Sequence, residues 1–328
     1  MHPNRRDVMF AFAASAAVGG CATPGAATGD WQQFNAADGT AIHYRRWLPA
    51  GAPKAVIQIV HGAAEHVSRY DRFALAAVAS GHAVYGTDHR GHGRTRLRSG
   101  RTGDAGPDAW NRMVEDEIAL SQRLRAAHPG AKLVLLGHSL GSFMAQDYIE
   151  RRADLLDALV LSGTSYGPPP PQGLIDMLNE AVRKEPLGDS AVWAGIFKDF
   201  NKPFGGPTGF EWLSRDAAEV DKYVKDPLCG FAFTNELTRD IFVGFVRMRD
   251  AGLEARIAKT LPVLVIQGEL DPVGENLVGT RRLVARYQAL GLTRIEPRYY
   301  AGARHELLNE TNRDEVTRDV LGWIGKTV

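Results

Sequence analysis

The sequence predicts an α/β protein with a mostly parallel, doubly wound sheet and a helical cap inserted into it. Short apolar runs alternate with helical patterns along most of the chain, and this alternation is typical of parallel strands connected by helices. Between two of these runs, residues 166–258 contain only short helical patterns broken by glycine and proline, which predicts the cap. The predicted strands are residues 41–47, 56–60, 83–88, 133–136, 158–162, 262–266 and 295–300.

The composition describes an ordinary globular chain with almost balanced charge. The 328 residues include 39 lysines and arginines and 38 aspartates and glutamates, for a net charge of +1. Such a balance provides no basic surface, so nucleic acid is not an expected partner. The length fits one large domain over residues 30–328 that includes the cap.

The N-terminal 21 residues have the pattern of an export signal. Two arginines precede an apolar run at residues 8–18, and two glycines then lead to Cys21. This arrangement is typical of a secretory signal, and Cys21 resembles the lipidated cysteine of a bacterial lipobox. We therefore expect an exported lipoprotein, held at a membrane through Cys21 and a tether at residues 22–29. The alternatives are a cleaved signal peptide or an uncleaved anchor, and in both of them Cys21 would not be lipidated.

Residues 137–141, Gly-His-Ser-Leu-Gly, predict a nucleophilic serine. They follow the apolar run at 133–136 and precede a helical pattern, which is the strand–turn–helix setting of a nucleophile elbow. Glycines are needed on both sides of Ser139 because the strained turn leaves no room for larger residues. Without partners the same pattern also fits a plain glycine–serine turn, so an acid and a base are required.

Asp271 and His305 supply the expected acid and base. Asp271 follows a buried strand, and His305 lies between the last strand and the final helix. The chain order serine, aspartate, histidine, with all three after strand ends, predicts that they meet at one edge of the sheet. Glu269, two residues before Asp271, is the rival acid.

Two backbone N–H groups are expected to form an oxyanion hole. One belongs to Leu140, the residue after the nucleophile, and the other to Ala63, in the loop after the first buried strand.

The motifs together resemble the monoacylglycerol lipase and lysophospholipase group of α/β-hydrolases. The resemblance rests on residues 61–66, 88–93 and 137–141 and on the segments around Asp271 and His305. It implies the α/β-hydrolase fold, a triad of Ser139, Asp271 and His305, and hydrolysis of monoacylglycerols, lysophospholipids or simpler esters. It also implies that neither a cofactor nor a metal is needed. Thr95 stands where the group usually has serine, and we expect only a structural effect.

The cap predicts an apolar substrate but leaves alternatives open. It holds 12 of the 28 aromatic residues, which favours an acyl pocket, although many of these rings must pack the cap itself. A proline-type aminopeptidase is the main alternative, and Glu65, Glu211 or Glu236 would then hold the substrate amine. An acyltransferase on the same fold is a second alternative. A non-catalytic binding protein is disfavoured by the complete triad.

Overall fold

The computed structural model describes residues 29–97 and 99–328. The predicted signal segment at residues 1–21, with Cys21, and all but the last residue of the predicted tether lie outside the described residues. Within the described part of the chain, no helix combines the length and apolarity required to span a bilayer.

An eight-stranded sheet forms the centre of the fold, with the order β1-β2-β4-β3-β5-β6-β7-β8. The strands are β1 (Asp30–Asn35), β2 (Ala41–Trp47), β3 (Ala55–Val60), β4 (Ala83–Thr87), β5 (Lys132–His138), β6 (Ala158–Ser162), β7 (Val263–Gly268) and β8 (Ile295–Tyr300). Strand β2 is antiparallel to β1 and β4, and all other neighbours are parallel. This confirms the predicted mostly parallel sheet. As an early strand, residues 41–47 are expected to enter from the edge of the sheet, but they lie one strand in, because the unpredicted β1 pairs outside β2.

Ten helices accompany the sheet within the described residues. They are α1 (Asp71–Ala79), α2 (Ala109–Ala127), α3 (Leu140–Arg152), α4 (Gln172–Lys184), α5 (Ala191–Asn201), α6 (Ala217–Lys225), α7 (Asn235–Arg247), α8 (Ala251–Glu254), α9 (Val278–Ala289) and α10 (Arg313–Thr327). Helices α4 to α8 lie between β6 and β7 in the chain and form the cap.

The sequences of the central strands β3, β5, β6 and β7 are mostly apolar because both faces of the sheet are covered there. In β5, Leu133 and Leu135 pack into the core shared with α2, α3 and α9. Val134 and Leu136 point to the other core, which contains α1 and α10. Successive side chains of a strand alternate between faces, so a strand covered on both sides is apolar at most positions.

Three local details differ from what the sequence indicates. The sequence predicts a cap helix over residues 212–224, but this helix begins only at Ala217, because the Asp216 side chain caps it by accepting a hydrogen bond from the Ala218 N–H. Helix α9 was not predicted at all. Asn312, with Glu315 three residues later, is the cap that the sequence predicts for the terminal helix. Asn312 does stand before α10, but its side chain caps no backbone N–H and instead donates to the Glu315 carboxylate at 2.9 Å.

Candidate active site

Ser139 lies on a sharp turn between β5 and α3. Its backbone has φ 52° and ψ −121°, a conformation that is costly for a residue with a side chain. A Cβ atom on Gly141 would lie 2.0 Å from the Val60 carbonyl oxygen, and one on Gly137 would lie 2.5 Å from the Gly141 carbonyl oxygen. Only glycine fits these two positions, so the tight turn that exposes Ser139 explains the glycines of the motif.

Asp271 and His305 are joined by a hydrogen bond. His305 Nδ1 lies 2.8 Å from Asp271 Oδ2, and both side chains are buried. The Asp271 carboxylate also accepts from Gln267 Nε2 at 2.5 Å and from the Val273 N–H at 2.9 Å. Glu269, by contrast, is exposed and accepts from the Gly302 N–H at 3.1 Å. The structure therefore places Asp271, and not Glu269, against the histidine.

The His305 ring lies beside the elbow. Its centroid is 4.7 Å from that of His138, the residue before the serine. The Ser139 backbone N–H donates to the Ser162 carbonyl oxygen at 2.9 Å. Gly163, which follows Ser162, lies against the His305 ring, and a Cβ atom on Gly163 would lie 2.8 Å from Cε1 of His305. The structure thus brings all three predicted residues to the same end of the sheet.

The N–H groups of Ala63 and Leu140 are both available at the cavity. Their neighbours are engaged, since the Gly62 N–H donates to Glu65 Oε1 at 2.5 Å and the Ala64 N–H donates to His92 Nε2 at 3.2 Å. Within the described part of the chain, neither Ala63 nor Leu140 donates a hydrogen bond from its backbone, and both residues line the cavity over Ser139. This is the arrangement an oxyanion hole requires.

Three buried histidines support the loop that carries Ala63. His61 and His89 stack at 3.7 Å, and the His89 N–H donates to His61 Nε2 at 3.1 Å. Burial lowers the pKa of His61 well below its usual range and that of His92 to about 3, so both rings are neutral at physiological pH. Neutral rings can accept hydrogen bonds, as His92 does from Ala64. These histidines therefore shape loops.

An ion-pair network that the sequence analysis missed connects the Ala63 loop to the His305 loop. The Arg69 guanidinium contacts Glu65 at 2.7 Å and Glu306 at 2.6 Å. Glu306 directly follows His305, and Glu65 is two residues after Ala63. All three charges are largely buried and mutually paired, which makes loss of one partner costly.

An apolar cavity of about 420 Å³ opens over Ser139 beneath the cap. It is lined by Ala63, Ser139, Leu140, Phe143, Ser165, Gly167, Pro168, Pro169, Pro170, Pro171, Leu174, Trp193, Ile196, Phe197, Phe200, Trp212, Phe242, Phe245, Arg249 and Val273. Among the residues that the structure describes, Arg249 is the one charged side chain in this wall, and none of the wall residues is a carboxylate.

The three glutamates considered as amine ligands lie elsewhere. Glu65 is committed to Arg69, Tyr70 and the Gly62 N–H. Glu211 accepts hydrogen bonds from Thr208 and its neighbours within the cap, and Glu236 stands in the first turn of α7. None of them borders the cavity.

One set of side chains in the described residues has the chemistry of a metal site. Atoms of His66, Asp226 and Cys229 that could bind a metal lie within 4.8 Å of one another, and His66 Nε2 contacts Asp226 Oδ2 at 2.8 Å. The set lies outside the cavity wall.

Residues 51–312 match the model of the family described as "Serine aminopeptidase, S33". The chain belongs to this family of hydrolases. The match includes Ser139, Asp271 and His305, and it covers the sheet from just before β3 to the start of α10.

Individual relatives have lipase and esterase names. A monoacylglycerol lipase of Mycolicibacterium smegmatis is 29% identical over 295 residues, which are 89% of this chain and 95% of the relative. A solved lipase in an open form has a TM-score of 0.81 at 28% identity, with 91% of this chain and 99% of the lipase covered. A thermostable carboxyl esterase from Bacillus coagulans, solved with glycerol, has a TM-score of 0.80 at 26% identity, covering 91% and 98%.

These similarities confirm the predicted α/β-hydrolase fold and the resemblance to monoacylglycerol lipases. They also favour the prediction of a serine hydrolase that acts on carboxylic esters over the aminopeptidase alternative.

Proposed function

We propose that this protein hydrolyses carboxylic esters with a single acyl chain through an acyl-enzyme on Ser139. The observation that supports it most is the cavity directly over the elbow, which is walled by aromatic and proline residues and lacks a carboxylate. Such a wall binds hydrocarbon because burial of each CH₂ group contributes about 0.8 kcal/mol.

In the proposed reaction, His305 takes the proton from the Ser139 hydroxyl as the oxygen attacks the ester carbonyl. The negative charge that develops on the carbonyl oxygen is stabilised by the N–H groups of Ala63 and Leu140. His305 then gives the proton to the leaving alcohol, and a water molecule activated by the same ring cleaves the acyl-enzyme. Asp271, 2.8 Å from Nδ1, holds the ring in the tautomer that presents Nε2 to the serine.

The cavity wall disfavours substrates with a free amine. An aminopeptidase must compensate the ammonium charge of its substrate with carboxylates, because an unpaired charge is costly in an apolar site. Among the described residues of the wall, the one charge is the positive Arg249, which repels an ammonium group. The cavity volume of about 420 Å³ lies within the usual range for small-molecule sites, so we expect a single acyl chain to be preferred over a triacylglycerol.

Substitution of the nucleophile tests this proposal. Ser139→Ala should reduce kcat for a monoacylglycerol by roughly 10³-fold or more, because the oxyanion hole and substrate binding alone supply little catalysis. A fluorophosphonate probe should label the wild type only. Ser80→Ala, which removes an exposed hydroxyl at the C-terminal end of α1, is the control and should retain labelling. Substantial ester hydrolysis by Ser139→Ala would contradict the assignment.

We also propose that the protein is exported and attached to a membrane by lipid on Cys21. The support is the sequence pattern of residues 1–21, and the described residues do not bear on it. Two or more acyl chains would give stable attachment, since one chain binds a membrane only weakly. Cys21→Ser should move the protein from the membrane to the soluble fraction. Mass spectrometry that finds an unmodified mature N-terminus away from Cys21 would overturn this proposal.

A further inference from the structure

Arg249 places a positive charge in the wall of an otherwise apolar cavity. It follows α7 and is held by two backbone carbonyls, with Nε 3.0 Å from the Gly167 oxygen and Nη1 3.1 Å from the Met248 oxygen. Gly167 lines the same cavity, so the guanidinium itself, and not only the side-chain stem, stands at the wall.

This guanidinium is not paired with a carboxylate in the described part of the chain. Its neighbour Glu254 instead accepts hydrogen bonds from Tyr166 at 2.9 Å and from Arg286 Nε at 3.0 Å. The guanidinium stacks on the Tyr166 ring at 4.0 Å, and burial lowers the pKa of Arg249. A partly buried charge without an ion-pair partner destabilises the folded state, because the charge has lost part of its hydration. A bound anion would therefore offset this loss.

An apolar wall separates Arg249 from the nucleophile. Phe143 is four residues after Ser139, one turn along α3, and its ring lies 5.0 Å from that of Phe245. Phe245 in turn precedes Arg249 by four residues, and both rings line the cavity. A substrate that reaches from the serine to the guanidinium must therefore have an apolar spacer between its ester carbonyl and its anionic group.

We propose that Arg249 binds an anionic group of the substrate, a carboxylate or a phosphate, beyond such a spacer. This rests on the proposed ester hydrolysis at Ser139 and narrows its substrate class. The planar guanidinium suits both anions because it can offer two parallel N–H donors to either. The anion belongs either to the far end of the acyl chain or to the alcohol, and a test with two arms separates these sources.

In the first arm, p-nitrophenyl half-esters of a dicarboxylic acid are compared with the same compounds carrying a methyl ester on the distal carboxyl. In the second arm, the acetate ester of an ω-hydroxyalkyl phosphate with a long alkyl chain is compared with the acetate ester of the unphosphorylated 1-alkanol of the same chain. Wild type, Arg249→Gln and Arg249→Lys are assayed with each pair. Arg183→Gln is the control, because it removes the same charge from the outer surface of the cap.

We expect the wild type to prefer the anionic member of one pair, and Arg249→Gln to lower its kcat/KM about 10- to 100-fold. The neutral member should change less than about threefold, which shows that the fold and the triad are intact. Arg249→Lys should retain part of the preference, and salt should weaken it. A wild type that cleaves neutral esters but prefers the anion in neither arm would overturn this inference alone. An equal loss of kcat/KM for the anionic and the neutral substrate in Arg249→Gln would also overturn it. Absence of any ester cleavage by the wild type would instead overturn the proposed function.

Discussion

The two sides of the candidate site are built by different interactions. Around His305, directional hydrogen bonds and ion pairs hold the polar groups from Asp271 to the Arg69 network. Under the cap, aromatic rings contact one another, as in the 4.2 Å stack of Trp193 on Phe233, and almost no polar contact defines the shape. The comparison indicates that the loops after the strands position the reacting groups, and small displacements of these groups should be costly. The packing of the cap determines the shape of the cavity, and its side chains should tolerate substitution with a smaller loss of activity.

The two sides meet at His305. Its backbone N–H donates to the Trp212 carbonyl of the cap at 3.3 Å, and the Glu306 N–H donates to the Leu213 carbonyl at 2.7 Å. The Trp212 ring lies 4.9 Å from the imidazole. The cap therefore contributes to the position of the base as well as to the walls of the cavity.

The largest effect is expected on the polar side. Asp271→Asn should lower kcat by roughly 10³- to 10⁴-fold, because an amide no longer holds His305 in the required tautomer. Glu269→Gln is the matched control and should lower kcat less than about threefold, since its carboxylate contacts only the Gly302 N–H. Steady-state kinetics on one ester measure both. Reversed results would assign the acid to Glu269.

Replacement of glycine by alanine should have opposite effects on the free energy of unfolding at the elbow and in the cap. Gly141→Ala would place Cβ 2.0 Å from the Val60 carbonyl oxygen and should destabilise the protein by about 3 kcal/mol. Gly195→Ala, on α5 of the cap, meets no atom within 4 Å and should stabilise by about 0.5–1 kcal/mol through helix propensity. Denaturant unfolding gives both values. A tolerated alanine at 141 would contradict the close approach of the elbow to β3.

A smaller effect on activity is expected from the cavity wall. Phe245→Ala should lower kcat/KM for p-nitrophenyl octanoate about tenfold, because the long chain loses apolar contact area. The acetate ester should change less than about twofold, since it does not reach this ring. Val246→Ala, on the exposed side of the same helix, is the control. An equal loss on both esters would mean that the ring supports the fold and not the chain.

The smallest effect is expected where the cap packs on α3. Glu150 is buried there, its Oε2 has no hydrogen-bond partner in the described part of the chain, and Arg247 Nη1 lies 3.8 Å away. Burial raises the pKa of this carboxyl to about 8. The folded state thus keeps the Glu150 proton to a higher pH than the unfolded chain. The ionisation of Glu150 therefore does not affect the free energy of unfolding below about pH 4, and it lowers this free energy as pH rises toward 8.

Glu150→Gln should remove this dependence. It should raise the free energy of unfolding by about 1–2 kcal/mol near pH 8.5 and change it much less near pH 5. Thermal unfolding of both proteins at the two pH values measures the difference. The same gain at both pH values would show that titration of Glu150 is not its cause.

The sequence predicted the polar side well because its elements are local. Apolar runs located seven of the eight strands, and the positions after their ends placed Ser139, Asp271 and His305 at one edge. Strand β1 (Asp30–Asn35, DWQQFN) was missed because its sequence has no apolar alternation and its strand pairing with β2 is what defines it. Helix α9 was missed because no sequence pattern marks its start. It follows Glu275, Asn276 and Leu277, three non-glycine residues with positive φ.

The details of the cap could not be predicted from the sequence. Its aromatic richness indicated an apolar cavity, but the contact of Trp212 with His305 depends on how a segment nearly a hundred residues away folds back. The location of Arg249 in the wall, and of Glu65 and Glu211 outside it, likewise depends on tertiary packing. A periodic pattern shows which face of a helix is buried, and it does not show which partner buries it.

The most direct test of the ester-hydrolase account is kcat/KM for a series of esters of increasing acyl length, with triolein and an aminoacyl-arylamide included. We predict a rise with chain length, because each added CH₂ group is buried in the cavity, followed by a fall when the cavity is full. The three-chain lipid and the arylamide should be poor substrates. A flat dependence on chain length, or faster cleavage of the arylamide than of any ester, would contradict the account.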